Sequence, residues 1–371
     1  MPTSRRDIDQ EGSFGTLEDS GRPSVSGDEG DQGRLLAAVA SHALGLTPAN
    51  FRIALRPPLD HQSNRLYDVW TGQRHLIAKE FIRPAEIHDA PAREFRALQR
   101  LASLGIAPRP VFFDPALGPV VMYEYLEGEI WDRRKPTPSD LTQLAELWLT
   151  VNAVPTDGLG MPSGYDRSFP EHEASFHAVL DEYVNWTTSE FPKGRRAAMM
   201  CAELVETRHS ATRSLQEADP ATCFSRADQR FANVIRQSNG RLGMINWEDS
   251  GLRDPIGDLA DLLTHANQED LLAPDEWQAF LRPYLRARGA IDSGTIDRLR
   301  LYLGIFPLLW LMILIRGGMR RVELHQLVGW TVNGLPANQR LRRYLARAIA
   351  WPEPAFDRQL VALAEVMFFP D

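Results

Sequence analysis

Four oxygen-bearing side chains stand close together in the second half of the sequence: Asp228, then Asn233, then Asn246 and Glu248. Between the two pairs run Val234-Ile235, Asn239-Gly240 and Leu242 to Ile245, and Asn-Gly between apolar stretches is a strong hairpin signal. A two-residue turn at Asn239-Gly240 pairs Asn233 with Asn246, so all four side chains are expected to converge at the open end of one hairpin. Carboxylate and amide oxygens in that arrangement suit Mg2+, a hard cation that takes one or two protein groups and fills its shell with water and substrate phosphate. A carboxylate not committed to metal can orient a hydroxyl and accept its proton. Together these are the parts of a phosphoryl-transfer site. Asp-x-x-x-x-Asn alone fits two loop-capping residues at least as well.

A scaffold must hold that hairpin. Phe51 to Leu55, Leu66 to Trp70 and His75 to Ile82 read as strands, the last two joined by Thr71-Gly72. A helix follows, with Asp89 as its cap, Pro91 in its first turn, Phe95, Leu98 and Leu101 on one face, and Gly105 after its end. Val111 to Phe113 and Val120 to Tyr125 make two more strands. From Ser139 the pattern turns helical, with Leu141, Leu144, Ala145 and Trp148 at helix spacing. Further helices are expected at Phe176 to Trp186, Arg195 to Glu217, Trp277 to Arg288, Ile296 to Ile315 and Leu341 to Ile349.

Composition narrows the classes. The 371 residues are 43% hydrophobic and 24% charged, the balance of a globular chain. The net charge of -8 gives no electrostatic footprint for nucleic acid, so none is expected as a partner. Residues 1–33 lack apolar periodicity and read as a disordered acidic tail. Leu301 to Ile315, broken by Gly304 and Pro307, falls short of the ~20 residues that span a bilayer and reads as a buried helix pair, with no membrane partner. Cys201 and Cys223 make no disulfide framework and no signal peptide is visible, which points to a reducing, cytoplasmic setting. The three lysines, Lys79, Lys135 and Lys193, stand among 41 basic residues, so a strand lysine such as Lys79 draws attention as a chosen point charge.

The order of the wider set carries more. Lys79 lies in a strand, Glu94 on the following helix, Glu124-Tyr125-Leu126-Glu127-Gly128 at the close of the β region, and Asp228, Asn233 and Asn246 later. The run Phe224-Ser225-Arg226-Ala227-Asp228-Gln229-Arg230-Phe231-Ala232-Asn233-Val234-Ile235 precedes Ile245-Asn246-Trp247-Glu248-Asp249 and Asp254-Pro255-Ile256-Gly257-Asp258-Leu259-Ala260. From about Phe51 to Leu263 the chain resembles the aminoglycoside phosphotransferase and choline kinase type of small-molecule kinases, which share the bilobal protein-kinase fold.

The resemblance implies an α+β architecture: a small β-rich N-lobe with one central helix at 34–127 and a larger, mainly helical C-lobe at 128–371. It implies Asp228 as the catalytic aspartate and Asn233 as a metal ligand. It also implies Lys79 as the nucleotide-phosphate contact, Glu94 as its partner, and Glu124 and Leu126 as the hinge whose backbone holds adenine. ATP would be the co-substrate, Mg2+ the metal, and a small hydroxyl compound the acceptor. Asp258 is expected to cap a helix and brace the catalytic loop.

The departures are specific. Asn246 stands where the family has its principal metal aspartate, with Glu248 on the same strand face as the candidate to assist it; Arg226 replaces a histidine and Ala227 a glycine; and Leu59 to Leu66, the phosphate-covering loop, has no glycine. Two readings stay open: an active kinase of reduced metal affinity, or a degenerate one that binds ligand without turnover. Glu127, Glu129, Trp131, Asp132, Trp247 and Glu248 are candidates for holding a cationic acceptor, although each taken singly reads as a surface acid or a core indole.

Overall fold

The computed structural model describes residues 29–57, 64–83, 87–131, 134–159, 222–289 except 266, 269, 270 and 274, 293–320, and 331–349 except 333 and 334, with isolated positions between 181 and 206. The helices expected at Phe176 to Trp186 and Arg195 to Glu217 fall almost wholly outside these residues, as does the acidic tail through 28.

Helix α1, Glu29–Leu44, starts earlier than composition alone suggests, for it takes in the last residues of the acidic segment. Its residues Leu36, Val39 and Ala40 recur at helical spacing and bury against Tyr67, Val69, Leu76, Ala78, Val120 and Met122. Those partners lie on strands β2 (Arg65–Thr71), β3 (His75–Glu80) and β5 (Val120–Glu124). With β1 (Phe51–Leu55) and β4 (Pro110–Phe112) they form an antiparallel sheet in the order β1-β2-β3-β5-β4. Side chains alternate across a strand, so α1 takes the Leu76/Ala78 face and leaves His75, Ile77 and Lys79 on the other.

Helix α2, Ala90–Leu101, packs on that second face through Ala97, Leu98 and Leu101. Asp89 occupies the cap position without a side-chain capping bond, a correction to the expected cap. Its backbone is already in the αR region, at φ -114 and ψ -38, and not in the extended conformation typical of a capping residue. Helix α3, Pro138–Asn152, has a complete capping box in Thr137 and Asp140.

The larger core continues from α2 and α3 through Phe224, Phe231 and Trp247 to the helices Pro255–Thr264, Gln278–Arg288 and Ser293–Arg320. The last corrects the expected helix pair: Leu301 to Ile315 lies within one continuous helix with Pro307 inside it. Proline deletes one backbone bond, and burial of Leu303, Ile305, Phe306, Leu308, Leu309 and Trp310 holds the helix together across the gap. Among the described residues no helix is long and apolar enough to cross a membrane.

Two small sheets finish the positioning frame. Strands β6 (Glu129–Ile130), β8 (Val234–Arg236) and β9 (Leu242–Met244) pair in that order, and β7 (Cys223–Ser225) pairs with β10 (Gly251–Arg253). The chain crosses from the large sheet into β6 at Gly128, whose φ is +154. A Cβ there would lie 2.3 Å from the Arg236 carbonyl oxygen, so only glycine fits the crossing.

Candidate active site

The hairpin that opened the sequence reading forms, with a shifted register. Val234 faces Met244 and Arg236 faces Leu242, and the Ile245 N–H donates to the Asn233 carbonyl at 3.0 Å. Asn233 therefore opposes Ile245 and not Asn246. The turn is one residue longer than expected: Gln237 N–H donates to Arg241 C=O at 2.9 Å around Ser238-Asn239-Gly240, with Gly240 at φ +81. The Asn239 side chain accepts the Arg241 N–H at 2.9 Å, which secures the three-residue form. A one-residue slip ordinarily sends a side chain to the opposite face. Here the strand alternation ends at Asn246, which adopts φ +67, and its side chain still reaches Lys79. Asparagine tolerates that left-handed backbone better than most residues.

Lys79 is 2% exposed, and its ammonium has three donors to place. Nζ lies 2.8 Å from Glu94 Oε2 and 2.7 Å from Asn246 Oδ1, and it also bonds Glu248 Oε2. One buried cation thus joins β3, α2 and the segment after β9. Glu94 Oε1 also accepts the Trp247 N–H at 3.4 Å. The Arg93 guanidinium donates to the Glu248 carbonyl at 2.8 Å, and Asn64 Nδ2 donates to Glu248 Oε2 at 3.1 Å. Asn64 lies in the expected covering loop, Leu59 to Leu66, of which residues 59–63 lie outside the described ones. No local signal marks Asn64 or Arg93, since their significance is a contact across more than 150 residues.

Asp228 sits in a second buried group. Its Oδ2 accepts from Asn233 Nδ2 at 2.9 Å and from Arg230 Nε at 2.8 Å and Nη2 at 2.6 Å. Its Oδ1 lies 3.4 Å from His265 Nε2. Burial by itself raises a carboxylate's pKa, but the Arg230 charge, the His265 hydrogen bond and the Arg226 charge together hold Asp228 well below its ordinary range. Ala227, immediately before it, is fully buried at φ +72. Among the described residues only Ala227 and Asn246 are non-glycine residues at positive φ, and both flank the candidate chemistry. Arg253 Nη1 donates to the Ala227 carbonyl at 2.7 Å and pairs with Asp258 at 3.0 Å. Asp258 therefore braces the loop as expected. The helix cap is instead Asp254, whose side chain accepts the Ile256 N–H.

The four oxygen-bearing side chains thus form two linked groups, Asp228 with Asn233 and Asn246 with Glu248. Asn246 Oδ1 and Glu248 Oε2 already converge on a single cation, the Lys79 ammonium. Asn233 turns its amide nitrogen to Asp228, which leaves its oxygen as an acceptor. Hard oxygen donors of this kind, one carboxylate and two amides, fit Mg2+ that keeps its remaining bonds for water and phosphate.

Glu124 ends β5, and Leu126 follows it. The Glu124 N–H donates to Arg109 C=O at 2.8 Å while its half-exposed carboxylate pairs with Arg74 at 3.3 Å. Leu126 lies against β9: a Cβ on Gly243 would come within 2.9 Å of its side chain. Of the acceptor candidates, Trp131 and Trp247 are core residues, the first edge-on to Phe231 and the second stacked on Phe224, and Glu129 pairs with Arg134 at the surface. Asp132 lies outside the described residues.

A profile of the phosphotransferase enzyme family matches residues 54–302, which spans both groups. The chain is 29% identical over 227 residues to the N-acetylmuramate/N-acetylglucosamine kinase of Caulobacter vibrioides, covering 54% of this chain and 58% of that protein. Its fold is similar to that of a choline kinase from Streptococcus pneumoniae, with a TM-score of 0.58 and 18% identity over 86% of this chain and 100% of that one. A spectinomycin phosphotransferase solved with ADP and spectinomycin gives a TM-score of 0.54 and 14% identity, covering 90% and 98%. The protein-kinase-like α+β fold expected from the motifs is the fold of these neighbours.

Proposed function

The chain belongs to the phosphotransferase enzyme family, and on that premise we propose that it moves the γ-phosphate of ATP to a hydroxyl of a small molecule. The observation that carries this reading is the assembled Lys79 centre, in which one buried ammonium meets Glu94 on α2 and Asn246 and Glu248 in the segment after β9. In the proposed reaction the acceptor oxygen attacks the γ-phosphorus and the bond to the bridging oxygen breaks. ADP leaves, and the hydroxyl proton passes to Asp228 or to water. Phosphoryl transfer asks little covalent work of the protein, so positioning and charge dominate. A carboxylate held well below its ordinary pKa suits that division: Asp228 is a weak base, and its main work is to orient the hydroxyl and take the proton late.

Asn233, Asn246 and Glu248 would hold Mg2+, which supplies charge neutralisation for the phosphates when bound. Lys79 would contact the phosphates and Glu94 would keep it in place. The backbone at Glu124 and Leu126 would receive the base. For the acceptor, sugars of the N-acetylglucosamine kind are the first class to try, because the relative's name gives that chemistry, followed by choline-like and aminoglycoside-like alcohols. The chain spans 58% of that relative, so the acceptor is a proposal for this chain.

Asn246 favours a second reading, a nucleotide-binding protein without useful turnover, because an amide replaces a charged metal ligand and already serves Lys79. Thermal shift with ATP and ADP, with and without Mg2+, combined with ADP release across a panel of hydroxyl compounds, separates the two. Binding with acceptor-dependent ADP release supports the kinase; binding with none in any acceptor supports the second reading. No shift with any nucleotide contradicts both.

A further inference from the structure

The Pro255–Thr264 helix ends at His265, and the turn that follows backs onto the catalytic loop at several points. The Gln268 side chain, fully buried, accepts the Phe231 N–H at 2.9 Å and donates to the Gln229 carbonyl at 2.9 Å. The same turn therefore fixes the loop backbone just after Asp228. His265, 5% exposed, packs edge-on against Trp310 at 4.6 Å between ring centroids. Its Nδ1 accepts the Asn267 backbone N–H at 3.1 Å. A nitrogen that accepts carries no proton, so the neutral ring has its N–H at Nε2, the atom 3.4 Å from Asp228 Oδ1.

The lone pairs of Asp228 give this contact its meaning. Oδ2 receives three N–H groups, one from Asn233 and two from Arg230, and has no acceptor capacity left. Oδ1 has the His265 contact and a second lone pair. An incoming hydroxyl must therefore address Oδ1, and His265 is the side chain in contact with that oxygen. We propose that His265 is a positioning residue for the transfer step, holding Asp228 Oδ1 toward the acceptor hydroxyl through its Nε2–H. This rests on the kinase reading of Asp228. A separation of 3.4 Å is loose for a hydrogen bond, and such contacts tighten when substrate fills the site.

The test compares His265→Ala, His265→Gln and Asp228→Ala, measuring ADP release from Mg·ATP with N-acetylglucosamine as acceptor, nucleotide affinity, and the unfolding midpoint. Glutamine can place an amide N–H near the position of Nε2. The expected result is a fall in kcat of about tenfold to hundredfold in His265→Ala, the size of one lost hydrogen bond to a charged group. KM for ATP and nucleotide affinity stay unchanged, and His265→Gln recovers much of the rate. An inactive Asp228→Ala beside a fully active His265→Ala overturns the positioning role and leaves the kinase reading standing. An active Asp228→Ala overturns the kinase role of Asp228 itself. Equal losses in nucleotide affinity and unfolding midpoint make His265 merely structural and also overturn the proposal. If N-acetylglucosamine is not an acceptor, 15N NMR of histidine-labelled protein decides. A pyrrole-type Nε2 that shifts in Asp228→Asn supports the assignment, and an Nδ1–H tautomer refutes it.

Discussion

Asn246→Asp puts the account under direct strain, because it should weaken the free protein and strengthen its complex. Asn246 Oδ1 is 2.7 Å from Lys79 Nζ, and Lys79 already meets the carboxylates of Glu94 and Glu248. One ammonium against two carboxylates leaves a local charge of -1, and the substitution makes it -2. The new carboxylate gains a charge-assisted bond to Lys79 but sits beside two like charges in a buried setting, where crowding disfavours ionisation. We expect a net loss of about 1–2 kcal/mol in the nucleotide-free protein at pH 7, the range of a like-charge cluster partly offset by its ammonium. With Mg2+ and a nonhydrolysable ATP analogue the balance reverses. A divalent cation meets a carboxylate in place of an amide, worth about 1.5–3 kcal/mol, or roughly tenfold to a hundredfold in affinity. Left-handed backbone suits Asp nearly as well as Asn, so the change reads as charge and not as strain. The assay is titration calorimetry with the analogue, with and without Mg2+, beside chemical denaturation of the free protein. Unchanged Mg-nucleotide affinity, or a gain that persists without Mg2+, would refute the placement of Asn246 at the metal.

Other expectations follow from the same contacts. Lys79→Met strands the Glu94 and Glu248 carboxylates without their shared cation, so denaturation should show a loss of about 3–5 kcal/mol together with loss of nucleotide binding. Ala227→Gly removes a left-handed alanine at φ +72 and should stabilise the fold by up to about 1 kcal/mol by denaturant titration; a loss of stability would mean the methyl group packs usefully. Asp261 is raised by burial from 3.8 to about 6. Its native form holds a proton more tightly than the unfolded chain does, so stability falls as pH rises through the interval from about 4 to 6 and is level above it. At about 1.4 kcal/mol per unit that slope carries about 3 kcal/mol, and Asp261→Asn should remove it from the difference between denaturation at pH 4 and at pH 8.

What the sequence made legible follows from how local each signal is. The strands β1 to β3, the helix α2 and the Lys79–Glu94 pair are read from periodicity and motif order, and the structure reproduces them to within a residue or two. The hairpin register is not legible because one side-chain bond, Asn239 to the Arg241 N–H, decides between a two-residue and a three-residue turn. The longer turn moves Asn246 off Asn233, and the local backbone at φ +67 brings its side chain to Lys79, an effect no pairing rule contains. The ligands of Asp228 divide in the same way. Asn233 stands at a recognisable spacing, and Arg230 lies inside the same motif and drew no notice. His265 belongs to a turn after the next helix and is joined to Asp228 only by folding. Pro307 reads as a helix break because proline lacks a backbone N–H, yet the buried side chains around it keep this helix continuous.

Transfer of a phosphoryl group from ATP to a hydroxyl at Asp228 and Lys79 can be watched directly. Phosphorus NMR of a reaction containing Mg·ATP and N-acetylglucosamine, then choline and spectinomycin in turn, observes the new bond itself. A phosphate monoester resonance should grow as ADP appears with one of these acceptor classes, and should be absent in Asp228→Ala protein that still binds nucleotide. ADP with free phosphate as the sole product, or an ester formed equally well by Asp228→Ala, would contradict this reading.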